Sequence, residues 1–344
     1  MKLSPENRLR FHNIGLILAI ALLFGLSYNY LYYPHTLTEY LEAASISILI
    51  GMMVGIMEEY SFKKIFSRLP YLTVFMIRLS VYCLLVAAAL GLVLSIEIAL
   101  TEEIPYRTAI IEYFGSAMFT RDLAFSLVFV TLILFITQII QLIGKANFFR
   151  LMLGLYHRPR EVSRIFMFAD IKGSTSIAER LSTTSYSMLL KRFFEDVSDA
   201  IALFRGEIYQ YVGDEIIVVW PLRERSDNCI QCFFKMQEMI NKNRDEYLQK
   251  FDLVPEFKAG IHAGSVMVTE VGKQKKDIVY HGDVLNTTSR IEAKCNELGQ
   301  ELLISQDLLP YLQLKSEFSV TPLGVIPLKG KAQDLHLYGV RLRN

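Results

Sequence analysis

The sequence predicts a chain of two parts, an α-helical membrane domain of four spans followed by an α/β (α+β) domain. Three observations carry that expectation. Of the 344 residues 52% are hydrophobic, more than one soluble globule needs to fill its core. Residues 1–160 hold 13 Lys and Arg against 10 Asp and Glu, and residues 161–344 hold 23 against 25, so the formal net charge of +1 hides two different halves. Finally, the apolar residues form four long runs before residue 144 and short alternating segments after residue 164.

Composition also excludes function classes. Neither half is basic enough for a nucleic-acid reader, so no nucleic-acid partner is expected. Four cysteines (Cys83, Cys229, Cys232, Cys295) and 21% charged residues fit neither a disulfide-built secreted scaffold nor a disordered chain.

The first span, Ile14–Leu31, is long enough to cross about 30 Å of hydrocarbon as a helix. It is too long for a signal-peptide core, and no small-x-small cleavage site precedes Tyr32. The second, Ala43–Met57, is shorter and reaches spanning length only if its helix begins near Thr36, with Glu39 and Glu42 among the headgroups. Leu79–Ile96 and Leu123–Ile143 complete the set, and Gly15, Gly25, Gly51, Gly55 and Gly91 suit close helix packing. Lys2, Arg8 and Arg10, then Lys63, Lys64, Arg68 and Arg78, then Lys145, Arg150, Arg158 and Arg160 mark three segments as cytoplasmic. The expectation is a multi-pass protein of the cell (inner) membrane, in contact with lipid, with both termini, the Glu58–Ile77 loop and the second half in the cytoplasm. His12 and His35 sit at opposite ends of one span and make no haem pair.

Residues 1–143 are thus the membrane domain and 144–164 a connector, either a passive spacer or a transmitter of movement, that Pro159 should end or kink. Residues 165–344 are the second domain. Its elements are a strand Ile165–Ala169, a helix Ser187–Phe204, and a hairpin of Ile208–Val212 and Ile216–Trp220 around Gly213-Asp214-Glu215. A helix Asp227–Arg244 follows, then strands Phe257–His262 and Val266–Val271 turning at Ala263-Gly264, and a helix Asp283–Leu298. Strands at Leu302–Ile304, Phe318–Val320 and Leu335–Val340 end the chain. The order strand, helix, hairpin, helix, hairpin predicts a ferredoxin-like core with additions.

Chemistry concentrates at a few positions. Asp170 ends the first strand and leads into Ile171-Lys172-Gly173-Ser174-Thr175, a turn entering a helix, where backbone N–H groups can cradle phosphate. Asp214 sits in the hairpin turn, and if the hairpin neighbours the first strand the two carboxylates converge to hold a pair of Mg²⁺ ions with a nucleoside triphosphate. Asn286 and Arg290 are four apart on one helix face, an amide beside a guanidinium. Cys229 and Cys232 read as packed thiols rather than a redox or zinc pair, and His262 and His281 as structural residues. Lys273, Lys275 and Lys276 read equally as a solvated hairpin or a triphosphate contact.

Five blocks, Ile165–Glu179 (IFMFADIKGSTSIAE), Gly206–Trp220 (GEIYQYVGDEIIVVW), Phe257–Val266 (FKAGIHAGSV), His281–Glu292 (HGDVLNTTSRIE) and Leu328–Tyr338 (LKGKAQDLHLY), resemble the class III nucleotidyl cyclase domain in order and spacing. The resemblance covers residues 161–344. It implies an adenylate cyclase converting ATP to 3′,5′-cyclic AMP and pyrophosphate, with two Mg²⁺ or Mn²⁺ per site and a homodimer sharing its sites. It makes Asp170, Ile171 and Asp214 the metal positions, Ile171–Thr175 the triphosphate cradle, Asn286 the ribose contact, Arg290 the stabiliser of charge on the α-phosphate, and Lys329 a contact for the terminal phosphates. Family members that use ATP commonly carry Lys where this chain has Gln210, and Asp or Thr where it has Val279. Those two base-contacting positions therefore leave GTP open as the substrate. A diguanylate cyclase has a similar hairpin but normally two glycines before its acid pair, where this chain has Val212-Gly213. A catalytically silent nucleotide-sensing or dimerisation module is the remaining alternative, against which stand Asp170, Asp214, Asn286, Arg290 and Lys329.

Overall fold

The computed structural model describes residues 5–33, 35–62, 69–222, 226–326 and 334–343. Lys2, Lys63, Lys64, Arg68 and Lys329 lie outside the described residues, as do the side chains of Arg8, His12 and Lys145. The chain forms two compact units, Met1–Leu142 and Ile143–Asn344.

The first unit is helical: α1 (Pro5–Tyr32), α2 (Leu37–Ile56) continued by a π-helical turn (Met57–Phe62), α3 (Tyr71–Thr101), α4 (Tyr106–Gly115) and α5 (Ala117–Ile143). Four segments, Asn13–Tyr32, Leu37–Tyr60, Tyr71–Thr101 and Ala117–Ile140, are long and apolar enough to cross a membrane. The second run gains its length at its start. Thr36 caps α2, its hydroxyl accepting from the Glu39 N–H at 3.3 Å, so the helix opens six residues before the apolar run. Helix α3 begins at Tyr71, inside the stretch expected to be loop, because nothing between Tyr71 and Ile77 breaks a helix once Pro70 has started one. The short α4 was not anticipated. Glycine does allow close packing of α1 on α2: a Cβ at Gly51 would sit 3.0 Å from the Ala21 Cβ, and one at Gly55 3.1 Å from Ile14.

The second unit opens with α6 (Lys145–Met152), which ends without help from Pro159. Gly154, at φ +59°, ends it; the Gly154 N–H donates to the Leu151 carbonyl and the Leu155 N–H to the Arg150 carbonyl. Then come β1 (Arg160–Ile171), α7 (Ser174–Arg180), α8 (Thr183–Leu203), β2 (Glu207–Val212), β3 (Glu215–Pro221), α9 (Asn228–Lys242), α10 (Arg244–Phe251), β4 (Phe257–Val271), β5 (Asp277–His281), α11 (Asp283–Glu297), β6 (Leu302–Ser305), β7 (Phe318–Ile326) and β8 (Leu335–Leu342). The sheet order is β2-β3-β1-β4-β6-β8-β7, with β5 on β4. Its first four strands, with α8 and α9 as crossovers, are the ferredoxin-like βαββαβ core. All described pairings are antiparallel except β4 with β6.

One expectation fails. Ala263-Gly264 is no turn: β4 runs straight through it, with Gly264 opposite Arg164, and the hairpin partner is β5. Gly264 is small for a tertiary reason, since a Cβ there would lie 2.7 Å from a Val284 methyl of α11.

Strand alternation builds both layers. Ile165, Met167, Ala169 and Ile171 face one side and pack with Phe193, Val197 and Ile201 of α8 and Phe233 and Met236 of α9. Phe166 and Phe168 face the other, with Ile217, Val219, Val266, Val268 and Tyr280. Asp170, next in that second series, emerges at the end of the face that α11 crosses.

Candidate active site

Register places three ionisable side chains in a row across neighbouring strands: Glu215 of β3 opposite Asp170 of β1, and Asp170 opposite Lys258 of β4. Partners directly opposite in antiparallel strands share a face, so the three side chains stand together. Helix α11 adds Glu292, whose carboxylate lies 2.6 Å from the Lys258 ammonium, while Asp170 lies 3.7 Å from it. The helix comes that close because Gly260 has no side chain: a Cβ there would meet the backbone of Glu292 and the Thr288 carbonyl oxygen, the latter at 2.9 Å. Asp214 completes the group from the β2–β3 turn, where Gly213 takes φ +65° and supplies the left-handed residue the turn needs.

Four carboxylates thus crowd around one ammonium, and the protons of Asp170 and Glu215 record it. Burial, the adjoining Asp214 and the charge of Glu292 push the Asp170 carboxyl up to about 7, with Lys258 opposing. Burial, Glu292 and Asp214 do the same to Glu215, also to about 7. Burial pulls the Lys258 ammonium down, but Glu292 and Asp170 outweigh it and hold the group above the ordinary lysine value. One Asp214 carboxylate oxygen, Oδ2, is buried without a hydrogen-bond partner. An orphaned carboxylate oxygen beside a second carboxylate that resists ionisation fits a divalent cation, which would restore the missing positive charge. Among the described residues no group of three or more His, Cys, Asp or Glu side chains is set to hold a metal. Two carboxylates with the remaining positions left to phosphate and water suit Mg²⁺, which keeps much of its own shell.

The other expected positions fall as follows. The Ile171 side chain is 1% exposed in the core, so only its main-chain carbonyl could be offered to a cation beside the carboxylates. The Lys172 N–H donates to the Glu256 carbonyl at 2.8 Å and its ammonium pairs with Glu301 at 3.0 Å and Glu256 at 3.4 Å, so Lys172 is spent within the chain. Gly173, at φ +65°, caps α7, leaving the N–H groups of Gly173, Ser174 and Thr175 at the open start of a helix. Gln210 is exposed on β2, just past a bulge at Tyr209, and pairs with Ile217 on the Asp170 face. Val279 of β5 pairs with Thr269, and alternation turns it away from Ile278 and Tyr280, which sit in the core. The two strands meet through their neighbours: the Tyr280 N–H donates to the Tyr209 hydroxyl at 3.4 Å.

Asn286 and Arg290 do not join the carboxylates within one chain. The buried side of α11 carries Val284, Thr287, Thr288, Ile291, Glu292 and Cys295; Asn286 is exposed on the other side, and Arg290 has one buried guanidinium nitrogen, Nη1, without a hydrogen-bond partner.

Lys258, Glu292 and Glu215 were not singled out in the sequence. The available signal was the lysine itself, a charge inside the apolar strand Phe257–Ile261. Cys229 and Cys232 are buried free thiols, and burial pushes Cys229 up to about 12, too high for a reactive thiolate. His262 lies 2.7 Å from the Ser305 hydroxyl, a structural contact. Lys276 pairs with Glu270 at 2.5 Å and Lys275 with Asp277 at 3.7 Å, as in a solvated hairpin.

Residues 158–341 match the family model of the adenylate and guanylate cyclase catalytic domain. Adenylate cyclase 2 of Rhizobium meliloti is 35% identical over 205 residues, 59% of this chain and 56% of that protein. Adenylate cyclase of Anabaena cylindrica is 27% identical over 181 residues, 51% of this chain and 36% of that protein. The matches therefore span little more than half, or less, of these relatives. A bacterial light-regulated adenylyl cyclase of known structure shares the fold, with TM-score 0.52 and 22% identity over 62% of this chain and 64% of that one. The matched segment takes in Asp170, Asp214 and all but the last residue of the sheet that carries them, and by it the chain belongs to the class III nucleotidyl cyclases, the adenylate and guanylate cyclase catalytic-domain family.

Proposed function

We propose that the chain is a membrane-bound adenylate cyclase that converts ATP to 3′,5′-cyclic AMP and pyrophosphate in the cytoplasm, working as a homodimer. The observation that carries this reading is the pairing of Asp170 with Asp214, one carboxyl reluctant to ionise and the other with an orphaned oxygen. Asp170, Asp214 and the Ile171 carbonyl would hold two Mg²⁺ or Mn²⁺. When bound, the ions supply Lewis-acid activation of the ribose 3′-hydroxyl and neutralise charge on the phosphates.

The chain's own groups do the rest. The N–H groups of Gly173, Ser174 and Thr175 bind triphosphate oxygens, and Lys329 reaches the terminal phosphates. Arg290, with a guanidinium nitrogen already buried and unpartnered, stabilises the charge that builds on the α-phosphate as pyrophosphate leaves. Asn286 orients the ribose so that its 3′-oxygen lies in line. Because Asn286 and Arg290 lie apart from the carboxylates in one chain, each site takes its carboxylates from one protomer and this pair from the other. Gln210 offers an acceptor for the adenine N6 amino group and a donor for N1, and Val279 gives only shape. That the two relatives described above are named adenylate cyclases supports ATP as the substrate. The lysine and arginine distribution supports a cytoplasmic site and cytoplasmic termini.

The test is product analysis of the full chain in detergent with Mg²⁺ and an equimolar mixture of ATP and GTP, repeated for Asp170→Ala, Arg290→Ala and their co-expressed mixture. Each variant alone should be inactive and the mixture should recover part of the activity, since a mixed dimer keeps one complete site. Cyclic GMP as the main product would overturn the base assignment. Inactive mixed dimers would overturn the shared site.

A further inference from the structure

Strand β2 breaks its own alternation, and the break bears on the nucleotide base. In a regular strand Glu207 and Tyr209 would share one face and Gln210 would lie on the other. Here Glu207 pairs with Val219 and Gln210 with Ile217, and both partners belong to the layer that holds Phe166 and Tyr280. The register shifts between Ile208 and Gln210, so the bulged residue is Tyr209, which packs against the same layer. Without that extra residue Gln210 would stand opposite Ile216 and face α8 and α9.

Tyr209 also joins β2 to β5. Its ring meets that of Tyr280 edge to face, with centroids 5.1 Å apart at 74°, and Tyr280 meets Phe166 in the same way at 5.4 Å. The Tyr209 hydroxyl accepts the Tyr280 N–H at 3.4 Å. Among the described strands β5 pairs with β4 alone, so its other edge has no ladder, and this hydroxyl supplies a tie there. Strand β2 is the firmer partner. It pairs with β3, and at its start Arg150 of α6 donates two hydrogen bonds to the Glu207 carboxylate, at 2.6 and 2.9 Å. The tie therefore locates β5 against β2, and it does so beside two positions already discussed, since Tyr209 precedes Gln210 and Tyr280 follows Val279.

We infer that Tyr209 is a positioning residue for the purine base, holding Gln210 and Val279 at the separation from which the base is read. The inference rests on the proposed role of those two residues as base contacts. The Gln210 side chain is exposed, so its place is set by the backbone that carries it. Its amide offers one donor group and one acceptor to either purine, and its distance from the apolar wall at Val279 decides which edge of the base lines up with them.

Tyr209→Phe keeps the ring and removes only the hydroxyl. Kinetics of the full chain in detergent with Mg²⁺, with ATP or GTP as the single nucleotide, read the effect. KM for ATP should rise about three- to tenfold, the value of one hydrogen bond, and the preference for ATP in kcat/KM should fall by a similar factor. The kcat for ATP should stay within about twofold of the parent, the pattern of a lost binding contact. A merely structural role would lower kcat through loss of folded enzyme and leave KM where it was. Gln210→Ala is the reference: it should raise KM for ATP by itself, and adding Tyr209→Phe to it should change KM by less than about twofold, because both act through one contact. A normal KM in Tyr209→Phe beside a raised one in Gln210→Ala would overturn the positioning role and leave the base reading standing. Fully additive effects would overturn it too, by showing Tyr209 to act apart from Gln210. A normal KM in Gln210→Ala would overturn the base reading and the inference with it.

Discussion

Replacing Lys258 with methionine shortens the side chain by one heavy atom and deletes its charge. Lys258 is 6% exposed and is the ammonium set among Glu292, Asp170 and Glu215, with Glu292 at 2.6 Å and itself 7% exposed. Removing one member of a buried pair leaves the other uncompensated, which costs about 3–5 kcal/mol. For a unit of this size that is a fall in melting temperature of roughly 6–20 °C. Lys258→Met/Glu292→Leu removes both charges and should recover most of the loss, since an apolar pair of similar volume is close to neutral. The assay is differential scanning calorimetry of the full chain in detergent without divalent metal, following the transition of the α/β unit. A single variant that melts within about 2 °C of the parent, or a double variant no more stable than the single one, would refute the claim that Lys258 holds the acidic row together.

Three further outcomes follow from the same geometry. Gly260→Ala puts a methyl group against the backbone of α11 and should cost about 1–3 kcal/mol, read as a lowered urea midpoint, whereas alanine at the open Gly115 should have no comparable effect. The carboxyls of Asp170 and Glu215, both pushed up to about 7, keep protons in the fold that the unfolded chain releases near pH 4. The unfolded state therefore binds fewer protons between about pH 4 and 7, and metal-free stability should fall as pH rises through that window. Mg²⁺ should restore stability above about pH 7 and have little effect near pH 5; calorimetry at the two pH values with and without the ion checks both.

What the sequence disclosed and what it hid have physical reasons. The hairpin at Gly213 was readable because a left-handed turn residue is a local requirement, and Asp170 because its strand ends in an alternating apolar run. Gly264 misled because the same residue type also serves close packing, and the demand for it comes from Val284, twenty positions away. The partnership of Lys258 with Glu292 left no local trace, since it depends on α11 crossing β4 at Gly260. That Asn286 and Arg290 stand on the far side of α11 from the carboxylates is a property of the folded helix; their spacing says only that they share a face.

The ladder between β1 and β4 runs unbroken for twelve pairs, from Arg160 opposite Val268 to Ile171 opposite Phe257. Side chains on such a strand change face at each residue, so inserting or deleting one residue between Arg160 and Asp170 would turn Asp170 into the layer of α8 and α9 and bring Ala169 or Ile171 out in its place. Length variation in this stretch is then confined to even steps, each moving the strand by two residues, roughly 7 Å, along its partners. An odd change of chain length between the helical unit and the acidic row must be absorbed before Arg160, and the twelve residues from Arg160 to Ile171 act as a ruler with only every second graduation allowed.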